Sequence, residues 1–188
     1  MAIGMFELYK ASSCVTLILF LKYFISNMRW GFAKGKANLR AKEDFNNNAN
    51  ATADDVERAN HAGRIIQNDL ENLPIGLIVI WASLLTVNAS YTVLEDGEAA
   101  CLTHLVFTCL FCIFRVLHTI IYELKLGLPR SLVFVLSMCS LFGLMILMIV
   151  CAFYLPETPS SARWMPRIIW WTVAAGAPDW CLQDKQWF

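Results

Sequence analysis

Four long apolar segments constrain the fold of this chain more than any other feature of its sequence. They lie at about 11–33, 65–87, 100–124 and 131–154. Each is close to the roughly 20 residues that an α-helix needs to cross the hydrocarbon core of a bilayer. Because that core offers the backbone no hydrogen-bond partners, spanning segments must be helices or strands of a closed barrel. The sequence therefore predicts an all-α fold, a four-transmembrane-helix bundle over residues 1–154.

The composition agrees with a multi-pass membrane protein. Hydrophobic residues make up 57% of the chain and charged residues 16%, whereas an average soluble domain is about 25% charged. Lysines and arginines equal the acids at 15 each, so no basic excess indicates nucleic-acid binding. The first apolar segment is too long for the core of a signal peptide, and no small-residue cleavage site follows it. We therefore interpret it as a retained span.

The loops between the predicted spans differ in charge, which predicts the orientation of the chain. The loop at about 88–99 carries three acids and no lysine or arginine. The first and third loops contain Lys34, Lys36, Arg40, Lys42, Arg58, Lys125 and Arg130. The first loop also holds five acids, but Asp and Glu contribute little to orientation. Since Lys and Arg favour the cytosolic side, the first and third loops are predicted to face the cytosol. The second loop and both termini then face the lumen or exterior.

Residues 155–188 are predicted to form an irregular tail. The tail is rich in proline and tryptophan, with Pro156, Pro159, Pro166, Pro178, Trp164, Trp170, Trp171, Trp180 and Trp187. Its apolar stretch at 168–177 is too short to span a bilayer. Because tryptophan prefers the membrane interface, we predict a lumenal or interfacial location.

The seven cysteines give no sign of a metal site or a disulfide framework. Their number is odd, which disfavours complete pairing. Cys109 and Cys112 form a C-x-x-C motif, but it lies inside a hydrophobic helix with no second pair. Free thiols acting as small apolar side chains are the favoured interpretation.

Polar side chains recur inside the spans at helical spacing. They form one stripe in the second span and one in the third, made of Arg64, Asn68 and Glu71 and of Arg115, His118 and Tyr122. Residues three, four and seven positions apart share one face of a helix. With the predicted orientation, both stripes lie in the cytosolic half of the membrane, level with Lys34 and Arg130. Four segments thus place polar groups at one depth.

Such groups can satisfy one another, bind a polar ligand or line an ion or proton path. Each charge at membrane depth costs about 2.5–3.5 kcal/mol on insertion scales, so a charge inside a span is expected to have a structural or functional role. The cations at this level outnumber the acids Asp69 and Glu71, which favours an anionic ligand that carries one amine. Lys22 lies apart, near the middle of the first span. It either pairs with an acid on the second span or extends towards the interface, and the sequence leaves this open.

The combined motifs resemble the family of membrane-associated proteins in eicosanoid and glutathione metabolism. The motifs are Arg64-x-x-x-Asn68-Asp-x-Glu71-Asn, Arg115-x-x-His118-Thr-x-x-Tyr122 and Pro129-Arg130-Ser131. The resemblance covers about residues 10–150 and includes the long polar first loop and the short third loop. Within the family, the pattern is most similar to the microsomal glutathione transferases and next to microsomal prostaglandin E synthase.

The resemblance implies a homotrimer in the endoplasmic reticulum membrane, with glutathione between neighbouring subunits near the cytosolic side. It assigns glutathione binding to Lys34, Arg64, Asn68, Glu71, His118, Tyr122 and Arg130. Arg130 and Ser131 match the pair that holds the thiol or thiolate, and Asp44 resembles an acid of the family's first loop. No metal is implied. A guanidinium beside the sulfur lowers the pKa of the thiol and raises its reactive fraction, so Arg130 is the expected activating residue.

The expected function is therefore glutathione transfer to apolar electrophiles that arrive from the lipid, with glutathione peroxidase activity toward lipid hydroperoxides as a related reaction. The alternatives are a glutathione-dependent prostaglandin E synthase and a non-enzymatic lipid-binding scaffold. Phe134 and Val135 stand where the prostaglandin synthase pattern has hydroxyl groups, which disfavours that enzyme. About three extra residues before Asn68 also predict an offset or a bulge at the start of the second span.

Overall fold

The chain folds into four long helices. The computed structural model describes residues 4–39, 51–91 and 97–153. The helices in these ranges are α1 Met5–Lys36, α2 Ala53–Ser90, α3 Gly97–Glu123 and α4 Gly127–Phe153. All four are long and apolar enough to cross a membrane. The predicted all-α bundle with four membrane-spanning helices is therefore confirmed.

Some features predicted from the sequence lie outside the described residues. These are the tail at 155–188 and the first-loop residues Arg40, Lys42 and Asp44. The predicted tail and the expected role of Asp44 stay predictions.

Local sequence explains where α2 begins. Thr52 and Asp55 form a capping box, in which the Asp55 backbone N–H donates to the Thr52 hydroxyl at 3.3 Å. The Asp55 carboxylate in turn accepts from the Thr52 backbone N–H at 3.1 Å. These bonds satisfy donors that a helix start leaves unpaired. From there α2 is a continuous α-helix to Ser90, so the structure shows no bulge before Asn68.

α4 begins at Gly127, earlier than the predicted span at 131–154. Pro129 therefore lies within its first turn and not before it. A proline is tolerated there because the first N–H groups of a helix have no partner within the helix.

The helices α2 and α3 form the centre of the bundle, and each packs against both α1 and α4. One apolar cluster joins all four helices through Leu19, Ile80, Phe111 and Leu144. A second cluster lies nearer the end of the bundle where α1 begins and α2 ends, and it includes Leu8, Leu84, Cys101 and Cys151. Large apolar side chains also cover much of the outer surface, as expected where lipid is the solvent.

Two glycines allow close packing against aromatic rings of α3. A Cβ atom at Gly76 would lie 2.3 Å from Cζ of Phe111, a ring that is fully buried. A Cβ atom at Gly143 would lie 2.6 Å from Cζ of Phe107. Small residues at such positions are typical of membrane helix interfaces, since association there depends on packing.

A buried polar cluster around His104 ties three helices together. Nδ1 of His104 hydrogen-bonds with the Ser83 hydroxyl of α2 at 2.9 Å, and Nε2 with the Ser12 hydroxyl of α1 at 3.2 Å. Interhelical hydrogen bonds of this kind contribute about 0.6 kcal/mol each on average. The sequence analysis did not single out these residues.

We expect Gly76→Ala to lower the free energy of unfolding by about 1–3 kcal/mol, the usual cost of overpacking a filled core. The reason is that the buried Phe111 ring has little room to move away from the added methyl group. Thermal unfolding of the purified protein in detergent measures the effect.

Gly31→Ala is the matched control, because an added Cβ there meets no atom within 4 Å. Alanine favours a helix over glycine by about 1 kcal/mol, so this variant should be at least as stable as the parent. Equal stability of the Gly76→Ala variant and the parent would contradict the packing described for α2 and α3.

Candidate functional site

The four helices bring charged residues together at one end of the bundle. At this end, called the polar end, α1 ends at Lys36, α2 begins at Ala53, α3 ends at Glu123 and α4 begins at Gly127. Arg29 of α1 pairs with Glu123 of α3 at 3.0 Å. Lys125 in the turn before α4 pairs with Glu57 of α2 at 3.7 Å.

One group of predicted site residues lies on α1 and α2. The Lys34 ammonium sits 3.7 Å from the centroid of the Trp30 ring, a cation–π contact. The same indole lies against Gly63, where a Cβ would be 3.0 Å from its Nε1 atom. Trp30, Gly63 and Arg64 line an open groove of about 420 Å³. Lys34 and Arg64 thus flank one indole.

Glu71 is exposed on α2, two turns after Arg64. Its Oε1 atom accepts a hydrogen bond from Nε2 of Gln67 at 2.8 Å. Arg64 and Gln67 are also exposed. We call the surface formed by Arg64, Gln67 and Glu71 the α2 face. It offers a cation, an amide and a carboxylate to whatever lies against it.

The second group lies on α3 and α4 around Tyr122. The guanidinium carbon of Arg130 is 4.8 Å from the centroid of the Tyr122 ring. Ser131 is exposed beside Arg130. His118 is buried behind Tyr122, with its ring 5.9 Å from Tyr122 and 5.9 Å from Phe134. The structure thus brings Tyr122, Arg130 and His118 together as predicted.

His61 belongs to this second group, although the sequence analysis missed it. Its ring centroid is 5.0 Å from that of Tyr122. Its Nε2 atom is buried and has no hydrogen-bond partner among the described residues. His61 precedes Arg64 by three positions, so extending the stripe of Arg64, Asn68 and Glu71 by one turn would have found it.

Asn68 faces the interior, where buried charges surround it. Arg115, which is 1% exposed, donates from Nη2 to the Asn68 backbone carbonyl at 3.3 Å. The next residue, Asp69, forms a buried ion pair with Lys22 of α1. The structure thereby answers the question about Lys22, which pairs with an acid of α2. Oδ1 of Asn68 is buried without a hydrogen-bond partner in the described part of the chain.

Three of the predicted binding cations have no carboxylate partner. In residues 4–39, 51–91 and 97–153, no ion pair forms at Lys34, Arg64 or Arg130, whereas Lys10, Lys22, Arg29 and Lys125 each contact a carboxylate. An arrangement in which the polar residues merely neutralise one another would pair these three as well. Free guanidinium and ammonium groups are suited to carboxylates, which they bind through charge-assisted hydrogen bonds.

The two groups remain separate within one chain. Across the described ranges, no hydrogen bond, ion pair or ring contact joins Lys34, Arg64 or Glu71 to Tyr122 or Arg130. The α2 face and the Tyr122–Arg130 group thus lie at one end of the bundle as two unconnected sets.

An apolar groove of about 670 Å³ runs between α1 and α2 beside the α2 face. Its lining is mostly apolar and includes Leu17, Phe20, Leu70 and Pro74. Leu70 and Pro74 each follow a residue of the α2 face by three positions, so the groove and that face adjoin on the helix surface. A lipophilic molecule in this groove would lie next to Glu71.

The comparisons with known proteins give one family. A model described as the MAPEG family matches residues 12–150, a range that contains every predicted site residue from Lys34 to Ser131. No curated protein and no solved structure matches the chain. The matched range covers most of the chain and reaches into all four membrane-spanning helices. The chain therefore belongs to the MAPEG family, the membrane-associated proteins in eicosanoid and glutathione metabolism.

Proposed function

We propose that this protein is a membrane-bound glutathione transferase that activates the thiolate of glutathione at the polar end of the bundle. The observation that carries the proposal is the set of unpaired cations Lys34, Arg64 and Arg130 on a MAPEG scaffold. Glutathione offers two carboxylates, one ammonium and one thiol. Its charges complement those of the site.

Each charge of glutathione has a partner in this proposal. Lys34 and Arg64 bind its carboxylates, and the Arg64 guanidinium is able to do so with two parallel bonds. Glu71 accepts the ammonium in place of the Gln67 amide that it now holds at 2.8 Å. Asn68, His118 and Tyr122 complete the binding site.

Arg130 and Ser131 are assigned to the sulfur. A guanidinium beside the sulfur lowers the pKa of the thiol, so that more of it is thiolate at neutral pH. The thiol proton passes to solvent, the sulfur lone pair forms a C–S bond with the electrophile, and the leaving group departs with its bonding electrons. With a lipid hydroperoxide, two glutathione molecules are oxidised to the disulfide while the hydroperoxide is reduced to an alcohol and water.

The separation of the two groups supports a site shared between subunits. A homotrimer would apply the α2 face of one chain to the Tyr122–Arg130 group of the next. The exposure of Arg64, Gln67 and Glu71 in one chain agrees with such an interface. In this proposal the trimer lies in the endoplasmic reticulum membrane with its polar end at the cytosol, an orientation that the Lys and Arg residues of the first and third loops support.

The apolar groove between α1 and α2 supports entry of the second substrate from the lipid. It is lined by Leu17 and Phe20, which are exposed on the outer surface. An electrophile dissolved in the bilayer would therefore reach the glutathione site without crossing water, which is a physical reason for a membrane-embedded transferase.

The alternatives have less support from the side chains present. In place of a hydroxyl group, Phe134 packs against the His118 ring and lies 6.0 Å from the Arg115 guanidinium carbon, which disfavours prostaglandin E synthesis. A lipid-binding scaffold has no need of Lys34, Arg64 and Arg130 without carboxylate partners in the described part of the chain.

We expect Arg130→Ala to lower kcat by roughly 10²-fold or more, as loss of one preorganised charge at a reacting atom does. Glutathione affinity should change by less than about tenfold, because Lys34 and Arg64 still hold the carboxylates. Steady-state kinetics with an aryl halide, together with equilibrium binding of glutathione, separate the two effects.

Arg29→Ala is the matched control for Arg130, since Arg29 is an exposed cation at the same end that pairs with Glu123. It should keep kcat within about twofold of the parent. If Arg130→Ala weakened binding and turnover equally, Arg130 would have no specific role at the sulfur.

We expect Glu71→Gln to weaken glutathione binding by roughly tenfold, because the ligand ammonium loses a charge-assisted hydrogen bond. Isothermal titration of the folded protein with glutathione measures the change. Glu57→Gln, which removes an exposed acid that faces Lys125, should leave the affinity unaltered. Unchanged affinity in the Glu71 variant would mean that its carboxylate only bonds Gln67.

A further inference from the structure

Three charged side chains are buried inside the bundle at the level of Asn68 and Asp69 and take no part in the proposed chemistry. They are Lys22 of α1, Asp69 of α2 and Arg115 of α3. Asp69 and Arg115 are each 1% exposed, and the Lys22 side chain is 9% exposed. Charges at membrane depth are costly and usually mark function. Their retention in the first three helices therefore calls for a reason beyond packing.

Their contacts hold α2 at two consecutive residues. From α1, the Lys22 ammonium pairs with Oδ1 of Asp69. From α3, Nη2 of Arg115 donates to the backbone carbonyl of Asn68 at 3.3 Å. The amide of Asn72 donates to the same carbonyl at 2.7 Å. The helix is thus fixed from both sides at the level of Asn68.

The turn of α2 after Asn72 lacks one of the backbone hydrogen bonds that keep a helix rigid. Pro74 lies inside α2 and has no N–H to donate to the Leu70 carbonyl. Prolines within helices are common sites of bending. Without a restraint nearby, the polar half of α2 would be free to tilt or rotate about this point.

Small rotations of α2 would displace the site. Arg64 and Glu71 lie on the same helix as Asp69, within five residues of it. With side chains about 5–6 Å from the helix axis, a rotation of about 20° moves them by about 2 Å. Misplacement of about 1 Å is enough to reduce catalysis strongly. Arg115 also fixes α2 relative to His118 and Tyr122, which follow it by one and two turns.

We propose that Lys22, Asp69 and Arg115 form a positioning triad that sets the rotation of α2 and so aims the α2 face at glutathione. The triad does not touch the ligand. This inference rests on the proposed glutathione site and names what holds that site in place.

The negative charge of Asp69 distinguishes a positioning role from direct electrostatic attraction of glutathione. If the buried charges attracted glutathione themselves, Asp69→Asn would remove a repulsive anion and tighten binding. If they position α2, removing either member of the Lys22–Asp69 pair weakens binding, because the remaining member loses its partner and the helix loses its restraint.

The test uses the full-length protein with Lys22→Met, Asp69→Asn and the double variant. We expect each single variant to raise the KM for glutathione by roughly tenfold, with kcat at saturation changed by less than about threefold. The double variant should lose less than the product of the single effects, since paired residues act as a unit. Lys22→Arg and Asp69→Glu keep the buried charges and serve as variants that still fold. Their KM for glutathione should also rise, because the geometry of the ion pair is altered.

The control is the exposed ion pair between Lys10 and Glu7 of α1, whose Nζ and Oε1 atoms are 2.9 Å apart. Lys10→Met and Glu7→Gln should leave KM unchanged. A lower melting temperature with unaltered KM in the triad variants, or tighter binding in Asp69→Asn, would overturn the triad. Failure of the parent protein to bind glutathione would instead overturn the proposed function on which the triad rests.

Discussion

The buried ion pair between Lys22 and Asp69 joins α1 to α2, and the arrangement of the other helices depends on buried contacts of this kind. A charged group inside a membrane bundle has no water, so it must find its partner on a neighbouring helix. Asp69 binds Lys22 of α1, and Arg115 of α3 binds the adjoining Asn68 carbonyl. The relative positions of α1, α2 and α3 follow from these contacts. Lys34, Arg64 and Arg130, which form no ion pair in the described part of the chain, lie outside this buried network at the polar end.

Polar and apolar contacts hold different parts of the bundle. The first three helices are joined at two levels, by the buried charges at one and by His104 with Ser12 and Ser83 at the other. The fourth helix packs on this frame through apolar contacts such as Leu144, and through the close approach of Gly143 to Phe107. A frame of this kind leaves Arg64 exposed and Arg130 half-buried at the polar end, as the proposed glutathione site requires.

Much of the fold could be predicted from the sequence because it depends on local properties. Segment length and hydropathy predict four spans. The predicted single stripe of Arg64, Asn68 and Glu71 divides in the structure, where Arg64 and Glu71 are exposed and Asn68 faces the interior. The partner of Lys22 could not be predicted, because pairing and extension to the interface differ only in tertiary contacts. His104 was missed for the same reason, since its partners Ser12 and Ser83 are distant in sequence. The burial of Arg115, which separates it from Lys34, Arg64 and Arg130, could be seen only in the packed helices.

The decisive experiment is equilibrium binding of glutathione to the purified protein, followed by the ultraviolet difference signal of the thiolate. If the polar end binds and activates glutathione, binding is saturable and accompanied by a thiolate signal at neutral pH, where free glutathione is mostly thiol. Folded protein that binds no glutathione would contradict the proposed function, and the polar residues at this end of the bundle would then serve packing alone.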